Sequence, residues 1–277
     1  MVVAPWSLCD GQATVFETEK AQVPMRWFTR RSRPKQAVVT ARFDAPLLPD
    51  APFCVVGDIH GCMDLLSEAL DRTAARWPDQ PVVFVGDYVD RGPNSAEVLR
   101  HLFTLQSASL DRIICLMGNH EDMLMGFLDG TLHDHRIWFQ NGGNATLQSF
   151  GISLPDKTPS KDDVEQIRSE MQEVMGNELI AWLQGLPLVW RSGNVWVTHA
   201  GADPVVDIDR QDRMALLWGH PDFRKLPRSD DQWVVHGHTI VPEVRRRDGR
   251  IAVDTGAYRT GQLSVVHISN DGIEVLD

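Results

Sequence analysis

A chain of 277 residues, 43% hydrophobic and 23% charged, is that of an ordinary globular protein with enough apolar material for one large core. Its net charge of -11 is uneven: residues 1–35 carry six Lys/Arg against three Asp/Glu, which leaves -14 on residues 36–277. An acidic body argues against nucleic acid as a partner, and no apolar run approaches the roughly 18 residues of a membrane span, so neither membrane insertion nor a signal peptide is expected.

The four cysteines (Cys9, Cys54, Cys62, Cys115) form no CxxC pair, and three of them sit in or beside apolar runs, which points to a reduced, cytoplasmic compartment. Residues 1–50 are read as an N-terminal extension and linker with a basic arm at 26–35, RWFTRRSRPK, followed by the Pro-spaced FDAPLLPDAPF. Residues 51–277 are read as one catalytic domain.

From residue 51 strands and helices alternate. The run FCVV precedes GDIHG, and Leu65, Leu66, Ala69, Leu70, Thr73, Ala74 and Trp77 then recur at helical spacing. VVFV precedes GDYVDRG, a helix is predicted from about Ser95 to Leu105, and RIICLM leads into GNHE. Such a β-α-β-α-β run implies parallel strands with right-handed crossovers, and ligands of such sheets collect beyond the strand carboxyl ends. All three polar tips lie there.

Farther along, Lys161 to Leu186 reads as one or two helices. PLVWR, VWVTHAG, WVVHGHT, IAVDTGA, LSVVHI and IEVL read as short strands, many of them antiparallel. Two of these also end in histidine motifs, HAG and HGHT. The expected architecture is α/β (α+β): a two-sheet sandwich flanked by helices, with the active site at the strand carboxyl ends.

Five strand ends therefore supply Asp58, His60, Asp87, Asn119, His199 and His238. One Asp after a Gly is usually a turn residue, and a lone His usually packs or faces solvent. Six together, in a mixed nitrogen and oxygen set without thiolate, suit first-row transition ions. They are too many for one four-coordinate ion and suit two ions sharing a carboxylate, about 3.5 to 4 Å apart, which activate a water for attack on phosphorus.

GDIHG, GDYVDRG, GNHE, HAG and HGHT, in this order, resemble the calcineurin-like metallophosphoesterases, and specifically the bacterial and phage branch of the PPP-type serine/threonine protein phosphatases. The likeness runs from about Phe53 to Ile268 and includes Asn141 to Gly143 and DTGA at Asp254 to Ala257. It implies that Asp58 and His60 hold a first metal, that Asp87 bridges, and that Asn119, His199 and His238 hold a second, with manganese the first choice and iron or zinc the alternatives. His120 is then the general acid, Asp90 orients it, and Arg91 clamps the phosphate with a planar fork. Glu121 is read either as support for the site or as the N-terminal carboxylate of the next helix. His236 is read as a packing residue, because the family pattern uses the second histidine of HGH.

The activity this implies is hydrolysis of phosphoserine or phosphothreonine in proteins, with a phosphorylated protein or peptide as partner. The alternative is a dinucleoside polyphosphate hydrolase, such as one acting on diadenosine tetraphosphate; a non-catalytic phosphate-binding scaffold is more remote. Asp90 and Glu121 are read as favouring the phosphatase, because the dinucleotide hydrolases usually lose the Asp of DRG and have GNHD. One departure stands out. Where the family places a second phosphate-clamp arginine after LLW, this chain reads LLWGHPDFR, so Arg224 or His220 is expected to supply that arm.

Overall fold

The computed structural model describes residues 43–155 and 157–276; the basic arm at 26–35 lies outside the described residues. Phe53–Val56 form β1, and all four residues are buried. A strand that is apolar at every position has to be covered on both faces. Phe53 and Val55 enter the core between the two sheets, while Cys54 and Val56 face a layer of helices.

The chain continues through α1 (Met63–Arg76), β2 (Val82–Phe84), α2 (Ser95–Ala108), β3 (Ile113–Cys115) and α3 (Asn119–Leu128). β2 pairs parallel to both β1 and β3. Helix α1 buries Met63, Leu66, Ala69 and Thr73, three to four residues apart, so a single face meets the sheet. Next come α4 (His135–Trp138), a π-helical turn (Phe139–Gly143), α5 (Asn144–Ser149), α6 (Lys161–Met175) and α7 (Asn177–Gln184). Helix α6 starts on a capping box, in which Ser160 Oγ accepts from the Asp163 amide and the Asp163 carboxylate accepts from the Ser160 amide; it stops at Gly176, φ 76°.

β4 (Val189–Ser192), β5 (Val195–Thr198), α8 (Arg213–Trp218), β6 (Trp233–His236), β7 (Arg245–Arg247) and β8 (Arg250–Ala252) come next. After α9 (Ala257–Thr260), β9 (Val265–Ser269) and β10 (Gly272–Val275) close the chain. The first sheet runs β10-β9-β1-β2-β3 and the second β4-β5-β6-β8-β7. The two pack face to face around Phe53, Val55, Val83, Val85, Val197 and Val235.

The two-sheet sandwich flanked by helices is the architecture expected. β9 and β10 join the first sheet as antiparallel strands, whereas β5, β6 and β8, read among the mostly antiparallel set, are mutually parallel, with antiparallel partners only at the edges. The parallel course brings the carboxyl ends of β5 and β6 to the same rim. Phe43 to Asp50, read from sequence as linker, packs on this second sheet: Leu47 is buried, the Phe43 ring meets Trp233 edge-on at 4.9 Å, and Leu48 exchanges hydrogen bonds with Asn194. Among the described residues no helix is long and apolar enough to cross a membrane.

Candidate active site

Each polar tip turns sharply at the end of a buried strand, and the backbone shows it. Seven described non-glycine residues have positive φ, and five of them are His60 (47°), Asp87 (55°), Asp90 (72°), Arg91 (70°) and His238 (62°). Such conformations cost on the order of 1–3 kcal/mol each and cluster where side chains are aimed for function. Two glycines allow the close approach. A Cβ on Gly237 would fall 2.0 Å from Asp58 Oδ1, and one on Gly118 would fall 2.3 Å from Asp87 Oδ1.

All six predicted ligands come to one rim of the sandwich. Asp87 stands between two groups, one with His60 and His120 and the other with His199 and His238, with ligand atoms within 4.8 Å of one another in each. His60 Nε2 lies 3.5 Å and His199 Nε2 3.3 Å from the Asp87 carboxylate. His199 Nε2 and His238 Nδ1 lie 2.8 and 2.9 Å from Asn119 Oδ1. Five of the six are buried; His238 alone is half-buried, so the cluster opens to solvent at that point.

The hydrogen bonds fit these residues to metal ions. His199 Nδ1 donates to the Val85 carbonyl at 3.0 Å, so a neutral ring presents its lone pair at Nε2, facing the amide oxygen of Asn119. Two acceptors at that distance repel unless a cation lies with them. His60 is arranged likewise, donating from Nδ1 to the Val89 carbonyl at 2.7 Å and presenting Nε2. Burial lowers the pKa of His60 to about 3 and of His238 to about 4, which keeps them in the neutral form a ligand needs. Asp58 shows the complementary stress: burial first, then Asp254 and Asp87, push its pKa well up, although its oxygens accept from the His238 amide at 2.9 and 3.2 Å. A divalent cation relieves that crowding of carboxylates. The donor set therefore fits a binuclear centre sharing Asp87.

His120 is built for a different task. Its Nδ1 donates to Asp90 Oδ2 at 2.6 Å, and Asp90 is fixed by Thr146 Oγ1 at 2.6 Å and by Trp138 Nε1 at 3.1 Å. Burial works against a charge on His120, but Asp87 and the bond to Asp90 outweigh it and raise its pKa. Arg91 donates to Nε2 of His60 at 2.7 Å and of His120 at 3.0 Å, and its guanidinium lies over the Tyr258 ring at 4.9 Å. Glu121 answers to both readings, since it caps the N-terminus of α3 and also supports the site. Its carboxylate accepts from the amides of Asp87, Tyr88, Val89 and Gly118, tying the tip of β2 to the tip of β3.

Sequence reasoning did not single out Asp254, Tyr258, Thr146 or Trp138 as site residues. DTGA was the one visible signal, for Asp254. His220 lies 3.6 Å from Asp203, and Arg224 lines a cleft with Thr239 and His236; neither contacts Arg91, His120 or the ligand set. His236 packs edge-on against Phe223 at 4.9 Å on the outer face of the second sheet, as the packing reading expects.

The model of the calcineurin-like phosphoesterases matches residues 51–260. The chain belongs to the calcineurin-like phosphoesterase family. Among curated relatives of this phosphoesterase, the bis(5'-nucleosyl)-tetraphosphatase PrpE (asymmetrical) of Bacillus velezensis is 29% identical over 234 residues, 76% of this chain and 86% of the relative. The protein of that name from Bacillus subtilis is 25% identical, over 76% and 88%. Among solved structures, a putative diadenosine tetraphosphatase superposes with a TM-score of 0.57 at 20% identity, over 84% of this chain and 98% of its own. A protein serine/threonine phosphatase from Saccharomyces cerevisiae gives 0.51 at 21%, over 83% and 80%. At such identities the two structures speak for the fold alone.

The curated relatives overturn the expectation of a serine/threonine protein phosphatase, which rested on Asp90 and Glu121. The geometry shows why those residues do not discriminate. Asp90 holds a proton on His120 and Glu121 gathers four backbone amides, and both tasks are the same whatever group leaves the phosphorus. With that reading goes the reason for expecting a phosphoprotein partner.

Proposed function

We propose that this phosphoesterase hydrolyses bis(5'-nucleosyl) tetraphosphates asymmetrically, to a nucleoside triphosphate and a nucleoside monophosphate. The observation that carries the reading is that curated relatives aligned over 76% of the chain bear that name, while the candidate site keeps every group such a reaction needs. Asp58 and His60, the shared Asp87, and Asn119, His199 and His238 are the ligands in this reading. Two divalent transition ions, manganese first, supply Lewis acidity there, polarising phosphoryl oxygens and acidifying the attacking water.

The chain's own groups do the rest. Arg91, whose fork already points at the ring nitrogens of His60 and His120, swings onto a phosphate and binds two of its oxygens. Its departure frees Nε2 of His120, the nitrogen facing the centre. Water oxygen bonds to phosphorus, the bond from phosphorus to the bridging oxygen breaks, and the electron pair leaves with the triphosphate. His120, protonated at Nε2 and held at Nδ1 by Asp90, delivers a proton to the departing oxygen.

The test is to strip the protein with chelator, reload it with manganese, and offer diadenosine tetraphosphate beside phosphoserine peptides. Formation of ATP and AMP, with a kcat/KM at least tenfold above that for any peptide, is the expected result. Two molecules of ADP would refute the asymmetric course, and preference for the peptides would refute the substrate class.

A further inference from the structure

The half-buried side of the metal cluster borders a second feature. Thr239 follows His238 directly and lines a cleft of 290 Å³ with Arg224, Lys225, Arg245, Arg247 and Arg250. Five cations meet one lining carboxylate, Asp248, in a chain whose net charge is -11. Asp248 is already taken, by Arg247 at 3.0 Å and Arg250 at 3.2 Å, and Lys225 pairs outside the cleft with Asp222 at 3.3 Å. Among the described residues Arg224 and Arg245 have neither an ion pair nor a side-chain hydrogen bond. The crowding of like charge is felt by Arg250, whose pKa falls through burial first and then through Arg247 and Arg224.

Charged edge strands commonly serve only to discourage pairing with other chains, and β7 is an edge strand made entirely of arginine. That role alone does not account for the arrangement. Alternation along β7 sends Arg246 over the Trp233 ring at 4.6 Å and leaves Arg245 and Arg247 facing the cleft. There they meet Arg224 and Lys225 from the turn after α8, a different element. A concave site with two uncommitted guanidinium forks suits several phosphate groups in a row, since each fork matches two phosphate oxygens.

We propose that this cleft is a second anion subsite, which holds the distal phosphates of a dinucleoside polyphosphate while the phosphate under attack lies at the candidate metal centre beside His238. The inference rests on the proposed substrate and deepens it. A tetraphosphate chain engages both sites across Thr239, whereas an aryl phosphate reaches only the first.

The experiment uses the full-length, metal-loaded protein and its Arg245→Ala/Arg247→Ala variant, with Arg245→Lys/Arg247→Lys as a charge-keeping control and thermal melting to check folding. Two ratios are read: kcat/KM for diadenosine tetraphosphate over that for an aryl phosphate, and the inhibition constant of ADP over that of orthophosphate in the aryl phosphate assay. The alanine variant should lower the first ratio at least tenfold, through KM, and raise the second at least tenfold, with the lysine variant in between. Unchanged ratios overturn the proposal, as does an equal fall on both substrates, which would mark a general charge effect or an acidic protein's docking surface. If wild type leaves diadenosine tetraphosphate uncut while the variant still loses ADP inhibition, the substrate reading falls and the polyphosphate subsite stands.

Discussion

The tips of β1, β2 and β3 are far more heavily tied than the tips of β5 and β6. Around the first three, Glu121 collects four amides, Asp90 is held by Thr146 and Trp138, and every candidate ligand is buried. At the other two, the side chains of His199 and His238 hang on a single carbonyl and a shared amide oxygen, and His238 meets solvent. The difference sets a heavily tied, buried side against a lightly tied side that opens to solvent.

The largest expected effect comes from the carboxylate the two sides share. Asp87→Asn should cost at least 10³-fold in kcat/KM on an aryl phosphate, since metal ions contribute several kcal/mol and each factor of ten is about 1.4 kcal/mol. Elemental analysis should show fewer than two ions bound. Retention of both ions with wild-type rate would break the view of Asp87 as the joint between the sides.

Next comes the heavily tied side. Asp90→Asn should lower kcat about 10- to 100-fold, the usual scale for a group that orients an imidazole. It should also shift the pH profile. The pKa of His120 is raised because Asp87 and Asp90 outweigh burial, so removing one negative charge lets the proton leave at lower pH. The alkaline fall in kcat should then begin at lower pH than in wild type; a fall at unchanged pH would deny the pair its role.

Glu121→Gln turns an amide NH₂ toward backbone N–H groups that also only donate. A loss of about 1–3 kcal/mol in unfolding free energy is expected, together with weaker metal affinity, measured by denaturant titration with and without manganese. The smallest effect belongs to the lightly tied side. His220→Ala breaks a contact to Asp203 at 3.6 Å and a bond accepted from the Asp222 amide at 3.3 Å, and should change stability by no more than about 0.5 kcal/mol and leave aryl phosphate hydrolysis close to wild type.

The six candidate ligands were legible because each follows an apolar run that enters the core, so hydrophobic pattern and polar tip announced each other. Asp254 follows such a run too, but its oxygens meet Asp58 only after β8 is threaded parallel to β6, which strand patterning does not give. Trp138 and Thr146 reach Asp90 from helical segments 48 and 56 residues away, a convergence no local spacing encodes. β7 went unread because three exposed arginines carry no apolar alternation. Spacing after LLW offered Arg224 as a phosphate arm but could not tell on which face of the sheet it falls, and it lies with His236 on the outer one. The substrate was misread for a related reason: Asp90 and Glu121 report on how the site is held, not on what enters it.

The sandwich is joined at this rim by few direct bonds, chiefly His199 to the Val85 carbonyl and the His238 amide to Asp58, each reaching from one sheet to the other. Ions held by Asp58, His60 and Asp87 on one side and by His199 and His238 on the other would act as a clasp across the seam, so the melting temperature becomes a meter of metal supply. A ligand at 100 times its dissociation constant adds about 2.7 kcal/mol to a fold that binds it only when closed. A cell starved of the metal would then lose this protein twice over, first its turnover and then, as the unclasped rim opens to proteases, the chain itself.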